Sequence, residues 1–234
     1  MKKFRLVILA VSSSLIILSS CLNDSNTTQP PLGSFLLAQT SPDAPNLSVY
    51  INSSLFDTLH FSHYTPYVTA NPGTYEFMVD SFPSTTSVLK GNVTIAAKQA
   101  YSYFIIDSFH KVKPAWINDV FQVPSSDSVY VRFFNFCPNS PSPLSLVNST
   151  DKSAWFDART FNDQSTNPQY AVFNREPKGV YTFEIQDISG TVLKSQSVTL
   201  TGGKVYTLFA KGIAGSSDTT RALSLGQLEN YPQQ

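Results

Sequence analysis

The sequence predicts an all-β protein made of two tandem antiparallel β-sandwiches, and three observations lead there. The first is an internal repeat. Gly73-Thr74-Tyr75-Glu76-Phe77-Met78-Val79 returns as Gly179-Val180-Tyr181-Thr182-Phe183-Glu184-Ile185, and Val88-Leu89-Lys90 as Val192-Leu193-Lys194. Val93-Thr94-Ile95 and Tyr101-Ser102-Tyr103-Phe104 return as Val198-Thr199-Leu200 and Tyr206-Thr207-Leu208-Phe209. Order and spacing are both kept at an offset of about 105 residues, the mark of two homologous units. The second observation is a period of two within each copy. Tyr75, Phe77 and Val79 point one way and Thr74, Glu76 and Asp80 the other, with Tyr181, Phe183 and Ile185 repeating the pattern. The third is composition: aromatic residues make up 13% and charged residues only 14%, which suits strands with uncharged polar surfaces.

Taken in order, the chain opens with a processing segment, expected over residues 1–20. Lys2, Lys3 and Arg5 precede an apolar run over residues 6–18, the layout of an export signal. The run is too short to span a membrane, which takes roughly 20 residues. It ends Leu18-Ser19-Ser20-Cys21, which resembles the bacterial lipobox. That resemblance implies cleavage before Cys21, diacylation of its sulfur and an acylated new N-terminus, with chains such as palmitate. Several acyl chains hold a protein to a bilayer durably, at about 0.8 kcal/mol per buried methylene. Residues 21–33 then read as lipidated Cys and tether, rich in Asn, Thr, Ser and Pro without apolar periodicity. Leu22, not Asp, follows the Cys, so the inner-membrane retention signal of enteric lipoproteins is missing and the outer membrane is the expected address. Its periplasmic or outward face stays open.

The first sandwich is expected over residues 34–124. Phe35-Leu36-Leu37-Ala38 forms a strand, Ser41-Pro42-Asp43-Ala44-Pro45-Asn46 a rigid turn, and Leu47, Val49 and Ile51 alternate again. This Ser-Pro-Asp-Ala-Pro turn, followed by Pro72-Gly73-Thr74-Tyr75 and an aromatic-rich strand, resembles the family catalogued as domain of unknown function 4397. The resemblance covers most of residues 34–108 and, more loosely, 129–228. It implies immunoglobulin-like sandwiches in a bacterial envelope lipoprotein, and it brings no catalytic residues. Pro124-Ser125-Ser126-Asp127-Ser128 links to a second sandwich expected over residues 129–228. There Val129, Val131 and Phe133 alternate against Tyr130, Arg132 and Phe134, and the turn becomes Cys137-Pro138-Asn139-Ser140-Pro141. An Asx-type turn would serve both copies. Residues 149–167 read as a polar insertion, carrying Trp155 and Phe156, that the first copy lacks.

Charge and motifs narrow the function. Sixteen basic and sixteen acidic residues cancel, and no Lys/Arg cluster lies beyond the signal, so nucleic acid is an unsuited partner. Of two cysteines Cys21 is assigned to lipid, leaving Cys137 without an intrachain disulfide partner. Asp57, His60 and His63 lack zinc spacing and are expected on opposite faces of a strand, so no metal is assigned. Cys137 with His110 matches no nucleophile motif, and no phosphate loop, Gly-x-Ser-x-Gly elbow or His-Glu-x-x-His helix occurs. The expectation is therefore a non-enzyme, without cofactor, holding a binding or structural role at the membrane. A glycan or an envelope protein is the expected partner, with a hydrolase as the rival class. Trp116, Trp155 and Phe156 are the candidate ligand contacts, since exposed aromatics stack on sugar rings. The plainer alternative has the two Trp covering the sandwich ends. Thr58, Ser128 and Thr219 sit in Asp-Ser/Thr tripeptides that resemble an O-glycosylation motif.

Overall fold

A computed structural model describes residues 31–141 and 143–230. The predicted signal segment and Cys21 therefore lie outside the described residues. Eight strands form a first sandwich: β1 (Gly33–Gln39), β2 (Leu47–Ile51), β3 (Ser54–Leu59), β4 (Val68–Ala70), β5 (Gly73–Ser81), β6 (Thr86–Ile95), β7 (Ala100–Ile106) and β8 (Lys113–Asn118). Eight more form a second: β9 (Ser128–Asn135), β10 (Leu144–Asn148), β11 (Ala154–Arg159), β12 (Asn174–Pro177), β13 (Gly179–Asp187), β14 (Val192–Leu200), β15 (Val205–Lys211) and β16 (Ser224–Glu229). Each sandwich has an outer sheet, ordered β3-β2-β5-β6 or β11-β10-β13-β14, and an inner sheet, ordered β4-β1-β7-β8 or β12-β9-β15-β16. The repeat thus extends to every strand. β1 opens at Gly33, inside the stretch read as tether.

The repeated strands bury the expected face. Phe77, Val79, Phe183 and Ile185 are fully buried, while Tyr75 and Tyr181 are half-buried rims whose hydroxyls donate to Asn71 O (2.8 Å) and Pro177 O (3.0 Å). Asp80 departs from the alternation. A bulge between Val79 and Asp80 breaks the register there, and Asp80 is buried instead of solvated.

The inner sheets differ from the simple expectation in two ways. β1 pairs with β7, and β9 with β15, in parallel; the remaining strand pairs are antiparallel. Their residues are buried on both faces: β1 and β7 are buried throughout, and β9 and β15 almost so. Parallel strands covered on both sides read as continuous apolar runs, and Phe35-Leu36-Leu37-Ala38 is one. The second face is buried because the two inner sheets pack on each other. Leu36, Phe104, Ile106 and Ile117 of the first meet Phe134, Phe136, Phe209 and Leu228 of the second in one cluster. Phe104 lies 4.9 Å from Phe136 and 5.6 Å from Phe209 between ring centroids. Burying each such ring contributes about 1.5–3 kcal/mol. Four sheets are therefore stacked around three apolar layers, the outer two being the sandwich cores.

The two turns are alike despite the lost charge. Asp43 Oδ1 accepts from Phe109 N at 2.8 Å, and Asn139 Oδ1 accepts from Ala214 N at 2.9 Å while its Nδ2 donates to Ala214 O. Each side chain clamps the loop after the seventh strand of its sandwich rather than closing a local Asx turn. An amide does this as well as a carboxylate.

Candidate functional site

Where the inner sheets meet, one edge of the interface opens into a crevice of about 430 Å³. Its first wall is the edge strand β8, through Trp116, Ile117 and Asn118, continued by Val120 and Gln122. Its second wall comes from the connection between β11 and β12, through Gln164, Pro168, Ala171, Val172 and Phe173. That connection folds into two short 3₁₀ helices, Asp163–Ser165 and Pro168–Ala171. Proline at the start of the second fits a position with no amide to satisfy, and Asn167 Oδ1 caps it by accepting from Gln169 N at 3.1 Å.

Arg159 fixes this wall. The buried guanidinium donates to both Asp163 oxygens at 2.8 and 2.7 Å, to Phe133 O at 2.7 Å and to Tyr170 O at 3.2 Å, and lies 4.3 Å from the Tyr170 ring centroid. A bidentate pair of this kind orients as well as attracts. Beneath the crevice a second buried pair joins the sandwiches. Arg132 and Asp119, both with fully buried side chains, form an ion pair. Asp119 Oδ2 also accepts from Tyr67 Oη (2.6 Å) and Ser102 Oγ (2.7 Å), and Arg132 Nε donates to Thr207 Oγ1 at 2.8 Å. Asn230 completes the network, accepting from Thr207 (2.5 Å) and donating to Tyr67 Oη (2.9 Å). Arg132 lies 4.2 Å from the Phe173 ring centroid and donates to Ala171 O at 3.4 Å, so the network carries the crevice wall. Burial, with the Asp119 carboxylate alongside, pushes the Tyr67 phenol well above 10.

Trp116 is half-buried and pairs in β8 opposite Tyr103. One ring face is stacked on Tyr101 at 4.5 Å and 10°. Its other ring contacts among the described residues, Tyr103 and Phe77, also come from the first sandwich. Gln164 is 6% exposed; its Nε2 donates to Asn162 Oδ1 at 2.7 Å, while its Oε1 is buried without a donor. A buried carbonyl left unpaired is costly.

The other sequence candidates lie elsewhere. Residues 149–167 are not an insertion as a whole, because Trp155 and Phe156 belong to β11, the counterpart of β3. Phe156 is in the second core at 7% exposure, and Trp155 packs on Tyr181 and Phe183 at 4.7 and 4.8 Å. What the second copy adds is the pair of 3₁₀ helices. His60 and His63 lie in a turn with rings 4.9 Å apart, not across a strand, and no group of three potential metal ligands occurs among the described residues. Cys137 is fully buried, which pushes its thiol up, and its neighbours are Asn139 and Ala214; His110 is exposed in the 3₁₀ turn Phe109–Lys111. Of the three O-glycosylation candidates, Thr219 is exposed and Thr58 half-buried in β3, whereas Ser128 is 4% exposed and closed to modification in the folded chain. Cys21 lies outside the described residues. Sequence reasoning missed Asp119, Arg132, Arg159 and Gln164; the clearest signal was at Arg132, a charge set between the apolar strand residues Val131 and Phe133.

The arrangement defines a class: a paired-sandwich, all-β protein with a concave, uncharged site between its halves. Residues 35–142 match the family described as Domain of unknown function (DUF4397). That match runs through the first sandwich and on past β9 into the turn that follows it. No curated protein matches the chain. Among solved structures, CBMbc (family CBM26) from Eubacterium rectale Amy13K in complex with maltoheptaose is 8% identical, with 85% of this chain and 98% of that one covered, at a TM-score of 0.27. The Bacillus anthracis TIE protein is 8% identical, with 79% and 34% covered, at a TM-score of 0.23. At such scores neither bears on function.

Proposed function

We propose that this is a non-catalytic binding protein of the cell envelope, lipid-anchored to the outer membrane through Cys21, whose ligand site is the crevice between the sandwiches. The observation that carries the site is the crevice wall: a preformed concavity at a junction of two units, with apolar sides and a few convergent polar groups, is the usual form of a ligand pocket. Its lining holds no acid, base or nucleophile, so it suits retention of a ligand better than turnover. Its carboxamides favour a glycan as that ligand, because Asn118, Gln122 and Gln164 can each donate to and accept from sugar hydroxyls beside the apolar Ile117 and Phe173.

The test is retention of envelope polysaccharide from the native host by immobilised mature protein and by Val172→Trp. Val172 is 50% exposed, so the larger side chain fills the crevice from its open side without entering a core. Retention that Val172→Trp abolishes supports the site; retention that survives it places binding elsewhere. For the anchor, Cys21→Ala is expected to leave the membrane fraction. If it stays there, the lipid reading fails.

A further inference from the structure

Resting on the crevice reading, we infer that the crevice takes an electrically neutral saccharide unit, one without carboxylate, sulfate, phosphate or ammonium groups. Three other concavities on the molecule are each marked by charge: Lys98 and Asp119 line one, Lys152, Asp157 and Asp187 another, and Asp127, Arg175 and Glu176 a third. The crevice is different. Its polar lining is three carboxamides, Asn118, Gln122 and Gln164, set among Trp116, Ile117 and Phe173. A charged ligand group entering it would lose water without gaining a counter-charge, which is strongly unfavourable. The Arg132 and Asp119 charges beneath are already spent on each other.

Carboxamides both donate and accept, as sugar hydroxyls do. The buried Gln164 Oε1 has no donor, so it is set to accept one hydroxyl hydrogen from the ligand. Ile117 and Phe173 supply the apolar surface for the C–H face of the ring, while the Trp116 ring is packed on the other face of β8 against Tyr101 and Phe77. A ligand with one apolar face and hydroxyls around its rim satisfies both walls together. A uronic acid or sulfated unit satisfies only one.

The experiment titrates the full mature protein with matched oligosaccharides, following tryptophan fluorescence and calorimetry. Neutral probes are oligomers of glucose, mannose and xylose; charged probes are oligogalacturonate, a sulfated galactan oligomer and chitosan oligomer. Binding confined to neutral probes, unchanged between about 50 mM and about 500 mM NaCl, is the expected result. Gln164→Leu is expected to weaken it roughly tenfold by removing the acceptor, and Val172→Trp to abolish it with the melting temperature kept. Preference for a charged probe, with salt-sensitive binding that Val172→Trp removes, overturns the neutral assignment and leaves the crevice as the site. Neutral binding that survives Val172→Trp overturns both. If no probe and no envelope polysaccharide binds, while envelope protein is retained in a Val172-dependent way, the saccharide assignment falls and the crevice stands.

Discussion

The two inner sheets are copies of one surface placed face to face, and they differ where they touch. The pairing registers make Leu36 the counterpart of Arg132, Tyr67 of Phe173, Ser102 of Thr207 and Asp119 of Asn230. Serine and threonine are interchangeable there, but the acid sits in one copy and the base in the other. Two identical apolar surfaces would pair equally well with a second copy of themselves. Splitting an ion pair between the halves makes each prefer the other, at the cost of burying two charges. The same division runs through the buried polar groups. The Asn135 side chain is bonded to Ser140, Cys137 and Arg159, while the side chains of its counterpart Gln39 and the nearby Ser41 have no hydrogen-bond partner in the first sandwich. The second copy is thus the more tightly wired of the two, and it also carries the added crevice wall.

The comparison breaks most readily at the cores. Phe77→Ala and Phe183→Ala are each expected to cost about 3–5 kcal/mol, and the shared apolar layer predicts one coincident unfolding transition for both halves in each variant. Two separated transitions by fluorescence and far-UV circular dichroism would show that the layer does not couple them. Next, Arg132→Ala is expected to cost about 3–5 kcal/mol, because Asp119 is left charged, buried and unpaired. Arg132→Leu with Asp119→Asn, which gives each position its counterpart's residue, should recover most of that loss in urea titrations. If the double variant is as unstable as the single, charge is not what distinguishes the two surfaces.

A pH measurement sharpens the same contrast. The first sandwich buries the phenols of Tyr67 and Tyr103 where the second has Phe173 and Leu208, and burial raises both phenols above 10. Because the folded value exceeds the unfolded one, their contribution is complete below about pH 10 and is lost as pH climbs past it. Tyr103→Phe should leave stability at pH 7 nearly unchanged and flatten the alkaline decline. An identical alkaline profile in the variant would assign the decline to other groups. The smallest effects belong to the outer faces: Glu76→Ala and Thr182→Ala are expected to stay within about 0.5 kcal/mol, since Glu76 meets Lys90 at an exposed pair. A larger cost at either would mean that the outer sheet is covered.

The sequence made the outer sheets legible because one wet face gives a clean alternation, as at Tyr75, Phe77 and Val79. It made the inner sheets legible as strands only. Arg132 follows Val131 and precedes Phe133, and in a strand with one wet face such a residue reads as solvent-facing; nothing local announces that a second sheet covers it. The equivalence of the Trp155–Phe156 strand to β3 was hidden because the residue-by-residue repeat covers β5 to β7 and fades outside them. Asp119 stands just past the end of β8 and Gln164 in the middle of a three-residue 3₁₀ turn, where no periodicity assigns a face, so the site they help to build is a property of the packed pair.

The parallel strand pairs also set the order in which the chain can fold. The Thr40 hydroxyl waits for the carbonyl of Ile105, 65 residues later, and Arg132 for Thr207, 75 residues later. Contacts of that sequence separation make folding slow. Until β7 emerges during synthesis, β1 has an open edge; until β15 follows, Phe104 and Ile106 face water. A chain truncated before Val205 therefore presents both an unpaired strand and an uncovered aromatic layer, the features of an aggregating intermediate. Escort by a holding chaperone until nearly the last strand has been delivered is the expected consequence.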